Sequence, residues 1–350
     1  MIHSRTTIAI PPGMTIREQL DNRKMSQKEF ANRMDMSEKH ISRLINGKVE
    51  LSHDVALRLE SVFGIPAKFW NNLEAIYREN EARVLEELDM EYDEEITKEM
   101  PYAKCAGFGW LPRTTKIKEK IINLRKFFEV ANLKALEHLK VPGIVYRKAS
   151  SSVPSDYALA MWAQKARIEA RSIETDPINI KLLKQSIPKI RALSVTEPSC
   201  FENEIKTLLA KCGIALVFLP HIKGSFLHGA TFADGNHIVV GLTLRGCYAD
   251  KFWFSLFHEL GHIICGHISS ITDDTESNEE EADRFAQKAL IPDKQYDEFI
   301  NRGVFTQSEI TYFSSLIGIA PWVVLGRLQK ENRVPYNYYS SLKVKYVFTD

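Results

Sequence analysis

Apolar residues recur at helical spacing from residue 13 to about residue 80, in runs short enough to predict consecutive short helices. Ser26, Ser37 and Ser52 each stand directly before such a run, where a helix N-cap belongs. Residues 81–100, "EARVLEELDMEYDEEITKEM", exchange that periodicity for charge and read as a charged helix or spacer. A helical pattern returns from 101 to about 195, broken at Pro101, Pro112, "VPG" (141–143), "SSSVPS" (150–155) and Pro177. "GIALVFLP" (213–220), "FLHGATFA" (226–233) and "HIVVGL" (237–242) then have strand composition, and "DGN" (234–236) makes a hairpin turn between the last two. A long apolar helix at about 251–265, an acidic loop and further helices complete a chain predicted to be mostly α with a small β-sheet.

The apolar helix contains "FWFSLFHELGHIICGH". On a wheel of about 100° per residue, Phe252, Trp253, Phe254, Leu256, Phe257, Leu260, Ile263 and Ile264 cover nearly the whole circumference, which predicts a buried helix. Its polar residues Ser255, His258, Glu259 and His262 fall at i, i+3, i+4 and i+7, a single stripe. Buried ionisable groups without partners cost several kcal/mol, so the stripe needs something to bind. Zinc fits: two imidazoles one turn apart both reach the ion, and the intervening glutamate faces a zinc-bound water.

A catalytic zinc takes a third protein ligand. Cys265 lies two turns beyond His258, about 10 Å along the axis, too far for one coordination shell. Gly266 reads as the helix C-cap and His267 as a non-ligand just past it. The better candidate is Glu281 in "SNEEEADRFAQKALIP", on a helix whose stripe Ala282, Phe285, Ala286, Ala289 and Leu290 presses onto the first; Glu280 is the fallback. The competing structural reading makes Asn278 and Glu281 a capping box. In the metal reading zinc activates water and polarises a peptide carbonyl, while Glu259 acts as general base. The strand residues Gly229, Ala230 and Thr231 could hold an extended substrate by edge pairing.

Charge changes the picture of organisation rather than of partners. The 350 residues carry 46 basic and 45 acidic side chains. These are segregated: 11 and 8 in residues 1–70, 3 and 11 in 71–100, 18 and 8 in 101–200, 14 and 18 in 201–350. That predicts a domain at 11–80, an acidic helical connector at 81–100, a basic helical middle at 101–200 and a last domain at 201–350. Five scattered cysteines (Cys105, Cys200, Cys212, Cys247, Cys265) form no CxxC pair, and no secretory leader opens the sequence, so a reducing cytoplasm is expected. No run of 18 uncharged apolar residues exists, which predicts no membrane span.

Near the head, "MSQKEFANRMDMSEKHISRLINGK" (25–48) reads as two short helices around a tight turn, with Ala31 small at their crossing and Gly47 as the stop. The second helix turns Lys39, His40, Ser42 and Arg43 outward, with Ser37 at its start, toward base edges and phosphates of a major groove; Gln27 can bond a phosphate. A similar pattern at 308–329 has Gly318 at its turn, but its second helix begins Pro321-Trp322-Val323-Val324-Leu325, too apolar to read DNA and suited to packing.

Two resemblances follow from these residues. "WFSLFHELGHIICGH", "EEEADRFAQKALIP" and "IGIAPWVVLGRLQ", within about 200–345, resemble the ImmA/IrrE zinc peptidases. That implies a zincin-like α+β domain, with zinc held by His258, His262 and Glu281, Glu259 as base, and cleavage of helix-turn-helix repressors. Residues 11–78 are similar to HigA-like antitoxins of the Xre/Cro class, which implies a five-helix domain, operator binding as a homodimer and neutralisation of a toxin encoded nearby. One departure is Asp35 where that class commonly has a turn glycine; aspartate tolerates the left-handed conformation. The preferred expectation is a DNA-binding regulator fused to a zinc endopeptidase that cleaves a repressor, itself or a partner. The rival is an antitoxin and autorepressor whose zinc-binding domain only docks a toxin, and a housekeeping peptidase is a distant third.

Overall fold

The computed structural model describes residues 2–4, 7–137, 153–222, 228–243, 248–269 and 275–347. The breaks expected at 141–143 and at the start of "SSSVPS", part of the strand expected from 226, most of the acidic loop and Cys247 lie outside these residues. The chain divides into two compact units, one of residues 1–96 with 132–134, the other of 97–131 with 135–350. Among the described residues, no single helix is long and apolar enough to cross a membrane.

The first unit holds a short antiparallel ribbon, β1 (Ile2–His3) and β2 (Ile8–Ala9), helices α1 (Gly13–Asn22), α2 (Gln27–Arg33), α3 (Glu38–Ile45) and α4 (His53–Phe63), and α5 (Ala67–Glu99) up to Ile96. Ser26, Ser37 and Ser52 cap α2, α3 and α4, each hydroxyl accepting from the backbone N–H three residues on. Ile16, Phe30, Ala31, Ile41, Leu59 and Trp70 are fully enclosed and form one core, with the Phe30 and Phe63 rings stacked at 5.1 Å. Fully burying each such large side chain stabilises by about 1.5–3 kcal/mol. Asp35 adopts φ +53°, the left-handed turn its position requires. Helix α5 passes through residue 80 without interruption, so the acidic segment is helical throughout 81–99.

In the second unit, α6 (Tyr102–Gly107), α7 (Ile117–Phe128), α8 (Val153–Ala170), α9 (Ile180–Ala192) and α10 (Pro198–Ala210) precede the sheet of β3 (Ile214–Leu219), β4 (Gly229–Asp234) and β5 (His237–Thr243). Helices α11 (Ala249–Cys265), α12 (Thr275–Leu290), α13 (Asp293–Asn301), α14 (Gln307–Ile317) and α15 (Pro321–Lys330) follow. The sheet order is β3-β5-β4, with β3 and β5 parallel and β4 and β5 antiparallel. Gly235, at φ +58°, turns the β4–β5 hairpin.

Period-two alternation divides the sheet's faces. Ile214, Leu216, Ile238, Val240 and Leu242 join the core around α11. On the other face Gly241 meets α8, where an added Cβ would stand 2.5 Å from the Trp162 ring. A helix from the basic middle thus covers the sheet, and the middle and the last expected domain form one compact unit. Trp322, Val323, Val324 and Leu325 of α15 are buried in the same core as α11.

Candidate metal centre and nucleic-acid interface

Helix α11 is buried along most of its length, with Trp253, Leu256, Phe257 and Leu260 fully enclosed and Glu259 6% exposed. His258 and His262, one turn apart, are half-buried and meet Nε2 to Nε2 at 3.0 Å. Glu279 of α12 completes the group: its Oε2 lies 3.2 Å from His258 Nε2 and its Oε1 3.4 Å from His262 Nε2. Asp283, one turn along α12, accepts from His258 Nδ1 at 2.7 Å. The Nδ1 of His262 meets His267 Nδ1 at 3.0 Å.

Glu281, the third ligand expected from the sequence, is not brought to this pair. Its Oε2 lies 3.2 Å from His267 Nε2, and Cys265, His267 and Glu281 form a second group of donors. The exposed Glu280 joins neither group. The cause is the rotation of α12. It begins at Thr275, so Asn278 is inside the helix rather than its cap. Gly261 then sets the crossing, where an added Cβ would stand 3.1 Å from the Ala282 backbone. With Ala282 and Ala286 fixed inward, Glu279 and Asp283 share the face toward the histidines and Glu281 turns aside.

The donor set fits a divalent cation. With Nδ1–H of His258 given to Asp283 and Nδ1–H of His262 given to His267, each neutral ring would turn an Nε2 lone pair toward the Glu279 carboxylate, giving three donor atoms for one ion. Three nitrogen and oxygen ligands suit a catalytic zinc. The electrostatics agree: burial pushes His258 down, but its bonds to Asp283 and Glu279 outweigh that and raise it to about 10. Bonds to His258 and His262 hold Glu279 well below the usual carboxylate range. The surroundings favour positive charge, which a metal supplies without protons.

Glu259 points the other way, to the sheet. Thr231 Oγ1 donates to Glu259 Oε2 at 2.6 Å, and a Cβ on Gly229 would stand 2.6 Å from Glu259 Oε1. Strand register explains the pairing. Thr231 lies opposite Val240 and Gly229 opposite Leu242, so both share the face that meets α11, while Ala230 alternates away. Burial raises Glu259 above the ordinary carboxylate value, against the Thr231 bond and the two histidines. Among the described residues β4 pairs only with β5, leaving one strand edge open. A cavity of about 430 Å³ opens beside Asp283, with Phe254, Leu290, Ile291 and Val323 in its wall.

At the head, Gln27, Ser37, Lys39 and Arg43 are exposed and Ser42 is half-buried. His40 is also half-buried and its Nε2 is enclosed without a hydrogen-bond partner, so this ring is withdrawn from the outer face expected for it. Ser37 accepts from His40 N at 3.2 Å and keeps its own O–H to donate. Arg17, which the sequence pattern did not single out, reaches the end of α3 by donating to Asn46 Oδ1 at 3.4 Å.

Residues 16–70 match the helix-turn-helix family and residues 249–320 match the IrrE N-terminal-like peptidase domain. Over 63 residues the chain is 38% identical to the uncharacterized HTH-type transcriptional regulator YddM of Escherichia coli, covering 18% of this chain and 67% of that protein. It is 32% identical to an addiction module antidote protein of the HigA family from Coxiella burnetii, over 21% of this chain and 82% of that one, at a TM-score of 0.21.

Proposed function

Because the chain belongs, through its head, to the helix-turn-helix transcriptional regulators and carries an IrrE-like peptidase domain, we propose that it is an antitoxin-like DNA-binding regulator whose second unit is a zinc-dependent endopeptidase. Its substrate is a helix-turn-helix repressor, this chain or a partner. The observation that carries the reading is Glu259. It is a buried carboxylate between two histidines that converge on Glu279, and it is oriented by Thr231. A module that only docks a toxin has no use for such a group.

Each residue then has a task. His258, His262 and Glu279 hold zinc; Asp283 and His267 fix the two imidazole rings by taking their outer N–H groups. Bound zinc supplies a Lewis acid and lowers the pKa of its water. Glu259 takes a proton from the attacking water and returns it to the leaving amine, a role that its raised proton affinity suits. The open edge of β4 pairs with an extended substrate backbone, and the cavity beside Asp283 takes a substrate side chain. At the head, Lys39, Ser42 and Arg43 enter the major groove and Gln27 holds a phosphate, two copies reading two half-sites of an operator.

An intact-mass time course on zinc-loaded protein tests this reading, with wild type beside Glu259→Gln, each alone and with a purified helix-turn-helix repressor. Fragments are expected with wild type, with a rate lower by about 100- to 10,000-fold in the variant. Intact wild type in every mixture, with zinc bound, would sink the peptidase reading and leave a docking module.

A further inference from the structure

Cys265, His267 and Glu281 lie beside the proposed zinc ligands and take no direct part in them. Their donor atoms all lie within 4.8 Å of one another. The αL residue Gly266, at φ +86°, reverses the chain at the end of α11, so His267 folds back beneath His262 while Cys265 stays on the helix. Glu281 reaches them from α12 and accepts from His267 Nε2 at 3.2 Å. Sulfur, nitrogen and oxygen donors in one cluster suit a thiophilic divalent cation of the zinc class.

We infer that Cys265, His267 and Glu281 form a second, sulfur-containing site for a zinc-class cation. The existence of this site does not depend on the proposed zinc site.

Cobalt separates the two sites, because only the second contains sulfur. Metal-free full-length protein is titrated with Co²⁺ and the near-ultraviolet thiolate-to-cobalt band is followed. The band is expected in wild type and in His258→Ala, and is lost in Cys265→Ser, a near-isosteric change. No band in wild type, or one that survives Cys265→Ser, would overturn the site. The readout does not depend on catalysis, so a protein that shows the band yet never cleaves a repressor fails the peptidase reading and keeps this site.

Discussion

Helices α2 and α3 start after Ser26 and Ser37 and turn through Asp35 at φ +53°; helices α14 and α15 start after Thr306 and Ala320 and turn through Gly318 at φ +65°. In both hairpins the first cap accepts from a glutamate N–H three residues on, Glu29 in one and Glu309 in the other, and the left-handed residue stands two positions before the next cap. The local chemistry is nearly the same, yet the second helices part company. Lys39 and Arg43 of α3 are exposed, whereas Trp322, Val323, Val324 and Leu325 of α15 are buried. Caps and turns specify a helical hairpin; the composition of the second helix's outer face specifies whether it reads a partner or fills a core.

The largest effect that could break this comparison is a charge placed in α15. Val324 is fully enclosed, so Val324→Asp leaves an unpaired buried carboxylate and should destabilise the second unit by more than about 4 kcal/mol. Loss of its cooperative thermal transition is the expected reading. A variant that melts like wild type would mean α15 is not part of the core that supports α11.

The counterpart on α3 should do the reverse. Lys39 and Arg43 are exposed, so replacing both with alanine should change stability by no more than about 0.5 kcal/mol per site. Operator affinity should fall by about 1–3 kcal/mol for each base-reading side chain removed, and the salt dependence should flatten by about one ion for each phosphate-binding side chain removed. Fluorescence anisotropy on operator DNA at several salt concentrations measures both. Undiminished affinity in the double variant would move the DNA-reading face away from α3.

The same distinction explains what the sequence disclosed about the candidate metal centre. His258, Glu259 and His262 were legible because ionisable residues on an otherwise apolar helix are a local contradiction that demands a partner. The partner itself was not. Glu279, Glu280 and Glu281 are consecutive, and choosing among them needs the start and rotation of α12, which the Gly261–Ala282 crossing sets through tertiary packing. A usable signal was present: Glu279 and Asp283 are one turn apart, as a ligand and the group that steadies a ligand would be. His267 read as a non-ligand just past the helix end, and the reversal at Gly266 brings it against His262 Nδ1. The helical reading of 81–100 was legible because charge segregation does not break a helix, and α5 runs through it to Glu99.

The smallest effect isolates the turns themselves. In the left-handed region an ordinary side chain costs about 1–2 kcal/mol per residue, somewhat less for aspartate. Asp35 does little to offset this: its carboxylate is 3.7 Å from Arg58 and its side chain is 99% exposed, an ion pair worth about 0–1 kcal/mol. Arg58 is held independently, donating to Met34 O at 2.9 Å, so removing the carboxylate leaves the guanidinium anchored. Asp35→Gly should therefore stabilise the first unit by roughly 0.5 kcal/mol, the relieved strain being partly cancelled by the freer unfolded chain. Gly318→Ala is the reciprocal test, since a Cβ there meets nothing within 4 Å and only backbone strain can act. It should destabilise the second unit by about 1 kcal/mol. Opposite signs in urea denaturation would establish that both hairpins pivot on one backbone conformation; a destabilising Asp35→Gly would mean that the aspartate side chain, and not the turn, secures α2 against α3.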